Sequence, residues 1–305
     1  MDAQSRILAD ETRTMQRLTP SADVSFIRQL TANSDRYRDP LVAIDWSQLN
    51  TDSYWLPQTA LSLYGLAEYD TLAEMVKKRL SQYEFLSIAH SGLWLEGIFL
   101  CRIIRRMNPA LPAAEYAYCL HEIREEAGHS LMFMQAIEKS GLALPAGAWR
   151  KPRIADWLAR HAPADSVFFW LATIIAEDLP DKFNRYVRAH ASTELNPVIR
   201  QICTLHIVDE ARHIAFARHQ LEAALGDQPR RRTAWLTPLV ALLLNQFIAT
   251  FYLPAAAFFE LARLTDGASW RGKARRNPVR AQFIRDRIGP TLHLLESYGI
   301  HVRID

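Results

Sequence analysis

Histidine and glutamate recur at helical spacing in two stretches of this 305-residue chain. The later one reads His206, Ile207, Val208, Asp209, Glu210, Ala211, Arg212, His213. Spacings of four and three residues put His206, Glu210 and His213 on one face of a helix. Two imidazoles and a carboxylate converging from one face make a borderline ligand set that suits iron, zinc or manganese. The earlier stretch, Glu122, Ile123, Arg124, Glu125, Glu126, Ala127, Gly128, His129, repeats it. Glu126 matches Glu210, His129 matches His213, and Glu122 stands where His206 stands. A lone Glu-x-x-His arises by chance and mostly lies on a solvated face. Two of them on separate apolar helices form the ligand pattern of carboxylate-bridged dimetal bundles.

Each motif carries an acid one position before its glutamate: Glu125 before Glu126, and Asp209 before Glu210. A ligating histidine donates its other ring N–H to a carboxylate, which fixes tautomer and orientation. Asp209 is thus expected to serve His129 across the bundle, and Glu125 to serve His213. Arg212 is expected to neutralise one of these acids, and Glu122 to be an outer acid rather than a ligand. Such a bundle takes one further glutamate from each of two other helices. Glu96 is embedded in the run from Ser91 to Leu100, and Glu177 follows Phe168, Phe169, Trp170, Leu171, Ile174 and Ile175. A carboxylate inside such runs is costly unless a cation compensates it. That selects Glu96, with Glu84 in reserve, over Glu74 beside Lys77 and Lys78. It also selects Glu177 over Asp178 and Asp181. The ligand set is therefore Glu96, Glu126, His129, Glu177, His206, Glu210 and His213. His90, His121, His190 and His219 lie off this register and read as structural.

The elements that must position these side chains are long helices. Sustained Val/Ile/Thr alternation is missing, so the fold class is all-α. Helices are expected over residues 71–107, 113–140, 165–191 with Pro180 interrupting, and 196–225 closed by Gly226, with a short amphipathic segment around Trp157. The organisation is an irregular N-terminal arm over 1–70, a four-helix bundle over 71–225, and additional helices over 226–305. The apolar stretch from Ala234 to Phe259 is long enough to span a membrane. Thr237, Pro238, Asn245, Gln246, Thr250 and Pro254 interrupt it, so a buried helix or a homodimer contact is the better expectation.

Composition excludes little. A hydrophobic fraction of 49% and a charged fraction of 23% are ordinary for a globular protein. A net charge of +3 gives no argument for nucleic acid, and the Arg230–Arg232 run reads as a solvated turn. Cys101, Cys119 and Cys203 show no paired spacing and are expected to be reduced, buried thiols. The N-terminus lacks a signal-peptide pattern, so the expected location is cytoplasmic.

With these motifs on the page, the run from His121 to Phe133, together with His206-x-x-Asp209-Glu210-x-Arg212-His213, resembles the AurF-type diiron N-oxygenases of the ferritin-like superfamily. The resemblance spans the four core helices, and His206 matches the third histidine that sets this group apart from minimal ferritin-like sites. It implies a non-haem diiron centre that activates dioxygen and oxidises an amine nitrogen, typically an arylamine, through hydroxylamine and nitroso to nitro products. It further implies Glu126 and Glu210 as bridges, Glu96 and Glu177 as terminal ligands, an external electron donor or reductase, and no catalytic side chain beyond the metal ligands. Trp94, Phe99, Phe133, Phe168, Phe169, Trp170 and Phe247 are candidates for an aromatic pocket. Three rival readings stand beside this one. A diiron hydroxylase or desaturase would use the same site on a C–H bond, and an iron-storage protein would hold many irons per chain. A radical-bearing subunit would need a tyrosine, for which Tyr118 and Tyr186 are available.

Overall fold

The computed structural model describes residues 21–226 and 230–304, and among them there is no strand, only an isolated bridge between Tyr54 and Leu195. The expected bundle helices are present as α2 (Glu74–Arg106), α3 (Ala113–Lys139), α5 (Val167–Ala189) and α6 (Pro197–Leu225). The amphipathic segment around Trp157 is α4 (Arg153–His161). Helix α2 pairs with α3 and α5 pairs with α6, so two helical hairpins face each other across the core.

Helix ends follow local chemistry. Ser166 accepts the Phe169 N–H at the start of α5, and Asn196 accepts the Val198 N–H at the start of α6, where Pro197 occupies the first turn. Gly226 closes α6 with a positive φ of 52°. Helix α5 runs through Pro180 as one element. Proline has no N–H, so the carbonyl of Ala176 loses its helical donor at that point.

Three expectations need correcting. The arm before the bundle is not irregular throughout: Ser21–Ser34 forms a 14-residue helix, α1, packed on α3 and α6. Its polar residues outnumber its apolar ones, so its helicity rests on tertiary packing more than on pattern. Residues 1–20 lie outside the described residues. Cys101 is exposed, while Cys119 and Cys203 are buried. Position 101 lies on the opposite side of α2 from the Glu96 face, which apolar neighbours in sequence do not reveal. The stretch 234–259 is two helices, α7 (Thr237–Phe251) and α8 (Ala256–Leu261), separated by Tyr252 to Ala255.

By length and composition, α2 and the stretch 233–261 pass as membrane spans. However, the 15 residues of α7 reach only about 22 Å, short of a bilayer core of about 30 Å. Val240, Leu243, Leu244, Phe247, Ile248 and Phe251 bury its inner face against α2 and α5. Helix α2 carries buried carboxylates. Both are core helices here. Arg230–Arg232 falls in a short 3-10 segment, and its side chains lie outside the described residues. Helices α9 (Gly267–Arg276) and α10 (Pro278–Ser297) close the chain, with α10 resting on α5.

Candidate metal centre

All seven residues expected as ligands are buried, and they meet in the middle of the bundle. Ligand atoms of Glu96, His129, His206 and Glu210 lie within 4.8 Å of one another, as do those of Glu177, Glu210 and His213. A third group, Glu122, Glu126 and His213, is equally close. Glu122, expected in the outer layer, thus borders this half of the centre, although Glu126 and Glu210 make ion-pair contacts to His213 that Glu122 does not. Its place mirrors that of His206 in the other half of the pseudo-repeat.

The two central glutamates divide their oxygens between the halves. Glu126 turns one oxygen to His213 Nδ1 at 3.1 Å and the other to His129 Nδ1 at 3.4 Å. Glu210 turns Oε2 to His213 Nδ1 at 3.4 Å, and Oε1 to His129 Nδ1 at 3.5 Å and His206 Nδ1 at 3.3 Å. Glu96 lies on the side of His206, 3.5 Å from its Nε2. Glu177 lies on the side of His213. Two ion positions bridged by two carboxylates fit this pattern.

The outer acids cross over between the two halves. His129 Nε2 lies 3.3 Å from Asp209 Oδ2, and His213 Nε2 lies 3.0 Å from Glu125 Oε2. These contacts leave each Nδ1 facing the centre. Arg212 serves both acids from one nitrogen, Nη2, at 2.5 Å from Asp209 and 2.9 Å from Glu125. Gly128 lets the N-terminal segment cover this layer. A Cβ there would fall 2.0 Å from the Tyr37 hydroxyl, and the Tyr37 ring also carries the Arg124 guanidinium, 4.7 Å from its centroid. Nothing in the spacing of Tyr37 pointed to this contact.

Whether these residues suit metal ions is decided by what they lack. Both oxygens of Glu126 and Glu210, Oε2 of Glu96, Oε1 of Glu177, and Nδ1 of His129, His206 and His213 are buried without any hydrogen-bond partner. Buried polar atoms are normally satisfied, so a convergent set of orphans needs an occupant. Charge says the same. Burial and the neighbouring Glu126 and Glu210 push the carboxyls of Glu96 and Glu177 well above the usual range. Burial works against the His129 imidazolium, but Asp209 and Glu126 outweigh it and push it up to about 10. His213 is raised in the same way by Glu126 and Glu210, against its burial. Protons on these groups offset charge that bound cations would offset in their place. The residues fit a pair of divalent ions.

The remaining candidates are placed as follows. Glu84 is buried three turns from Glu96, where it accepts from the Ser62 N–H and hydroxyl, so the reserve ligand belongs to the scaffold. Glu74 is exposed, and Asp178 and Asp181 pair with Lys182 and Arg185. His90 and His190 bond backbone carbonyls one turn earlier, and His219 packs on Phe26. Tyr186 bonds Thr59 at 2.6 Å, away from the centre, whereas Tyr118 is buried beside Phe216 with its hydroxyl unpaired.

An apolar cavity adjoins the centre, bounded by Glu96, Glu177 and His206. Phe99 and Phe133 line it as expected. Trp94, Phe168, Phe169, Trp170 and Phe247 do not. Trp94 donates to Asp156 and packs on Phe247, while Trp170 packs on Phe216. The aromatic bulk comes instead from Phe85, Phe183 and Phe251, with Cys203 and Asn184 as further lining residues. Helical phase could have found most of these. Phe85, Ile88, Gly92 and Phe99 lie at three- and four-residue steps along the Glu96 face. Pro180 and Asn184 continue the Glu177 face, and Cys203 stands one turn before His206.

Comparison with known proteins agrees with this geometry. The family model described as p-aminobenzoate N-oxygenase AurF matches residues 20–299. Among individual relatives, the uncharacterised protein Rv0885 of Mycobacterium tuberculosis is 25% identical over 270 residues, covering 82% of this chain and 78% of its own. The uncharacterised protein Mb0909 of Mycobacterium bovis matches to the same extent.

Proposed function

The chain belongs to the p-aminobenzoate N-oxygenase AurF family, and on that premise we propose that it is a dioxygen-dependent diiron oxygenase that oxidises an amine nitrogen towards hydroxylamine, nitroso or nitro products. The observation that carries this reading is the division of the Glu126 and Glu210 oxygens between His129 on one side and His213 on the other. A single-ion site has no use for two such carboxylates. Two irons held here supply the paired electrons and Lewis acidity that dioxygen activation requires.

The protein's part is positioning and charge. Asp209 and Glu125 accept the Nε2 protons of His129 and His213, which keeps both imidazoles in the tautomer whose Nδ1 can bind a cation. Arg212 holds the two acids ionised and in place. Burial pushes the His206 imidazole down to about 4, the neighbouring Glu210 only partly opposing it, so His206 is neutral and ready to ligate at physiological pH. The phenylalanine wall keeps water from the centre. No side chain is required as a nucleophile. Electrons come from an external donor or reductase, and the substrate is a small amine.

Metal analysis of the purified protein should give two irons per chain. Anaerobic reduction followed by oxygen should convert an arylamine to N-oxygenated products detectable by mass spectrometry. Glu210→Ala and His213→Ala should each abolish both properties, and retention of two irons by either variant would refute the site. A product hydroxylated on carbon would favour the hydroxylase reading instead, and hundreds of irons in a cage-sized assembly would favour storage.

A further inference from the structure

The family is described by a substrate that carries a carboxylate, yet the cavity beside this metal centre has, among the described residues, no arginine or lysine to hold one. What the wall offers is apolar surface, hydrogen-bond acceptors and the amide of Asn184, which carries no charge to set against an anion. Phe85, Phe99, Phe133, Phe183 and Phe251 form the apolar part. Glu96 and Glu177 present carboxylates. The free space is about 30 Å³, enough for a water or two. A ring therefore enters only by displacing phenylalanine side chains, and it arrives stripped of solvent.

The metals do not alter the balance. Two divalent ions against the carboxylates of Glu96, Glu126, Glu177 and Glu210 leave no net positive charge to hold an anion. A buried carboxylate without a partner is strongly disfavoured. An amine, by contrast, donates to the acceptors that the cavity presents.

We propose that the substrate is an uncharged, apolar arylamine without a carboxylate, its ring among the phenylalanines and its amine towards Glu96 and Glu177, and that p-aminobenzoate itself is excluded. The proposal rests on the N-oxygenase reading for the word substrate, but the charge preference can be measured without turnover.

The test is anaerobic calorimetric titration of the diiron-loaded protein with methyl 4-aminobenzoate and with p-aminobenzoate. The ester should bind at least 100-fold more tightly, and on admission of dioxygen it should be consumed in preference to the acid. Equal affinities, a preference for the acid, or no binding of the ester would overturn the proposal. Asn184 is a half-buried member of the lining, so Asn184→Arg places a cation in the wall. That variant should narrow the ester-to-acid ratio at least tenfold, and an unchanged ratio counts against charge as the cause. If the ester binds with the expected preference and no nitrogen is oxidised, the oxygenase reading falls while the charge preference stands.

Discussion

Arg212 makes the two outer acids depend on each other, and a double-mutant cycle can measure that dependence. Its Nη2 lies 2.5 Å from Asp209 and 2.9 Å from Glu125, and all three side chains are less than a tenth exposed. In Glu125→Gln or Asp209→Asn, the guanidinium keeps one carboxylate. Each single change therefore costs a charged hydrogen bond or two, about 1.5–3 kcal/mol. In the double variant the same guanidinium stays buried with no carboxylate at all, a situation that costs about 3–5 kcal/mol when a buried pair is broken. Removing the second acid should therefore cost more than removing the first, and the double variant should be destabilised beyond the summed single effects by at least ~1 kcal/mol, within the range found for directly coupled neighbours. Urea unfolding of the metal-free protein at pH 7 gives the four corners, provided the slope with denaturant stays constant. Additivity within about 0.5 kcal/mol would mean that Arg212 does not join the two halves, and the bracing role assigned to it would be wrong.

Iron loading should release protons. His129, pushed up to about 10, and His213, raised well above the usual imidazole range, carry protons at pH 7 in the metal-free protein and lose them to a bound ion, and the raised carboxyls of Glu96 and Glu177 add to the competition as pH falls. Because their pKa values are raised, protons compete below those values, so affinity rises with pH and weakens as pH falls. Anaerobic ferrous titration in a pH-stat should register at least two protons per chain at pH 7, and fewer than one would contradict the charge assignment. Two glycines should respond in opposite ways to alanine. Gly128→Ala drives a methyl to 2.0 Å from the Tyr37 hydroxyl and should cost about 1–3 kcal/mol, with faster iron loss to a chelator. Gly97 has open space around its Cβ position within helix α2, so Gly97→Ala should stabilise by about 0.5–1 kcal/mol in the same unfolding assay.

The sequence was most legible where one physical constraint acts on one helix. The spacing of His206, Glu210 and His213 determines their shared face whatever the helix packs against. The apolar runs around Glu96 and Glu177 picked them out because a carboxylate in such surroundings is untenable without a cation. Even the exchange of Asp209 and Glu125 between opposite histidines could be read, since each acid lies about 100° from its own helix's ligand and so faces the neighbouring helix. Contacts between distant segments were not legible. Tyr37 reaches Gly128 across the outside of α3, and neither position announces the other. The helix Ser21–Ser34 has too weak an apolar face to be seen without the surface it covers. The aromatic residues failed for a readable reason: Trp94 and Phe168 lie on the wrong side of α2 and α5, while Phe99 and Phe133 sit one turn from Glu96 and His129.

The pseudo-repeat is also broken in a place that matters. Its two halves match in Glu126 with Glu210, in His129 with His213, and in the crossed acids, but His206 stands opposite Glu122. His206 borders the cavity, and Glu122 does not. The Glu96 side of the centre therefore has an additional neutral imidazole, while the Glu177 side has a further carboxyl close by. Burial pushes that carboxyl up to about 8, with Glu126 and Glu125 adding to the shift and His213 opposing it. Such a carboxyl is neutral at pH 7 until a nearby cation draws its proton off, so metal binding would add negative charge on the Glu177 side that the imidazole of His206 cannot add on the other. Two irons in a symmetric cage would be interchangeable. Two irons held here would be inequivalent, because the half that presents His206 to the cavity would carry the smaller share of carboxylate charge.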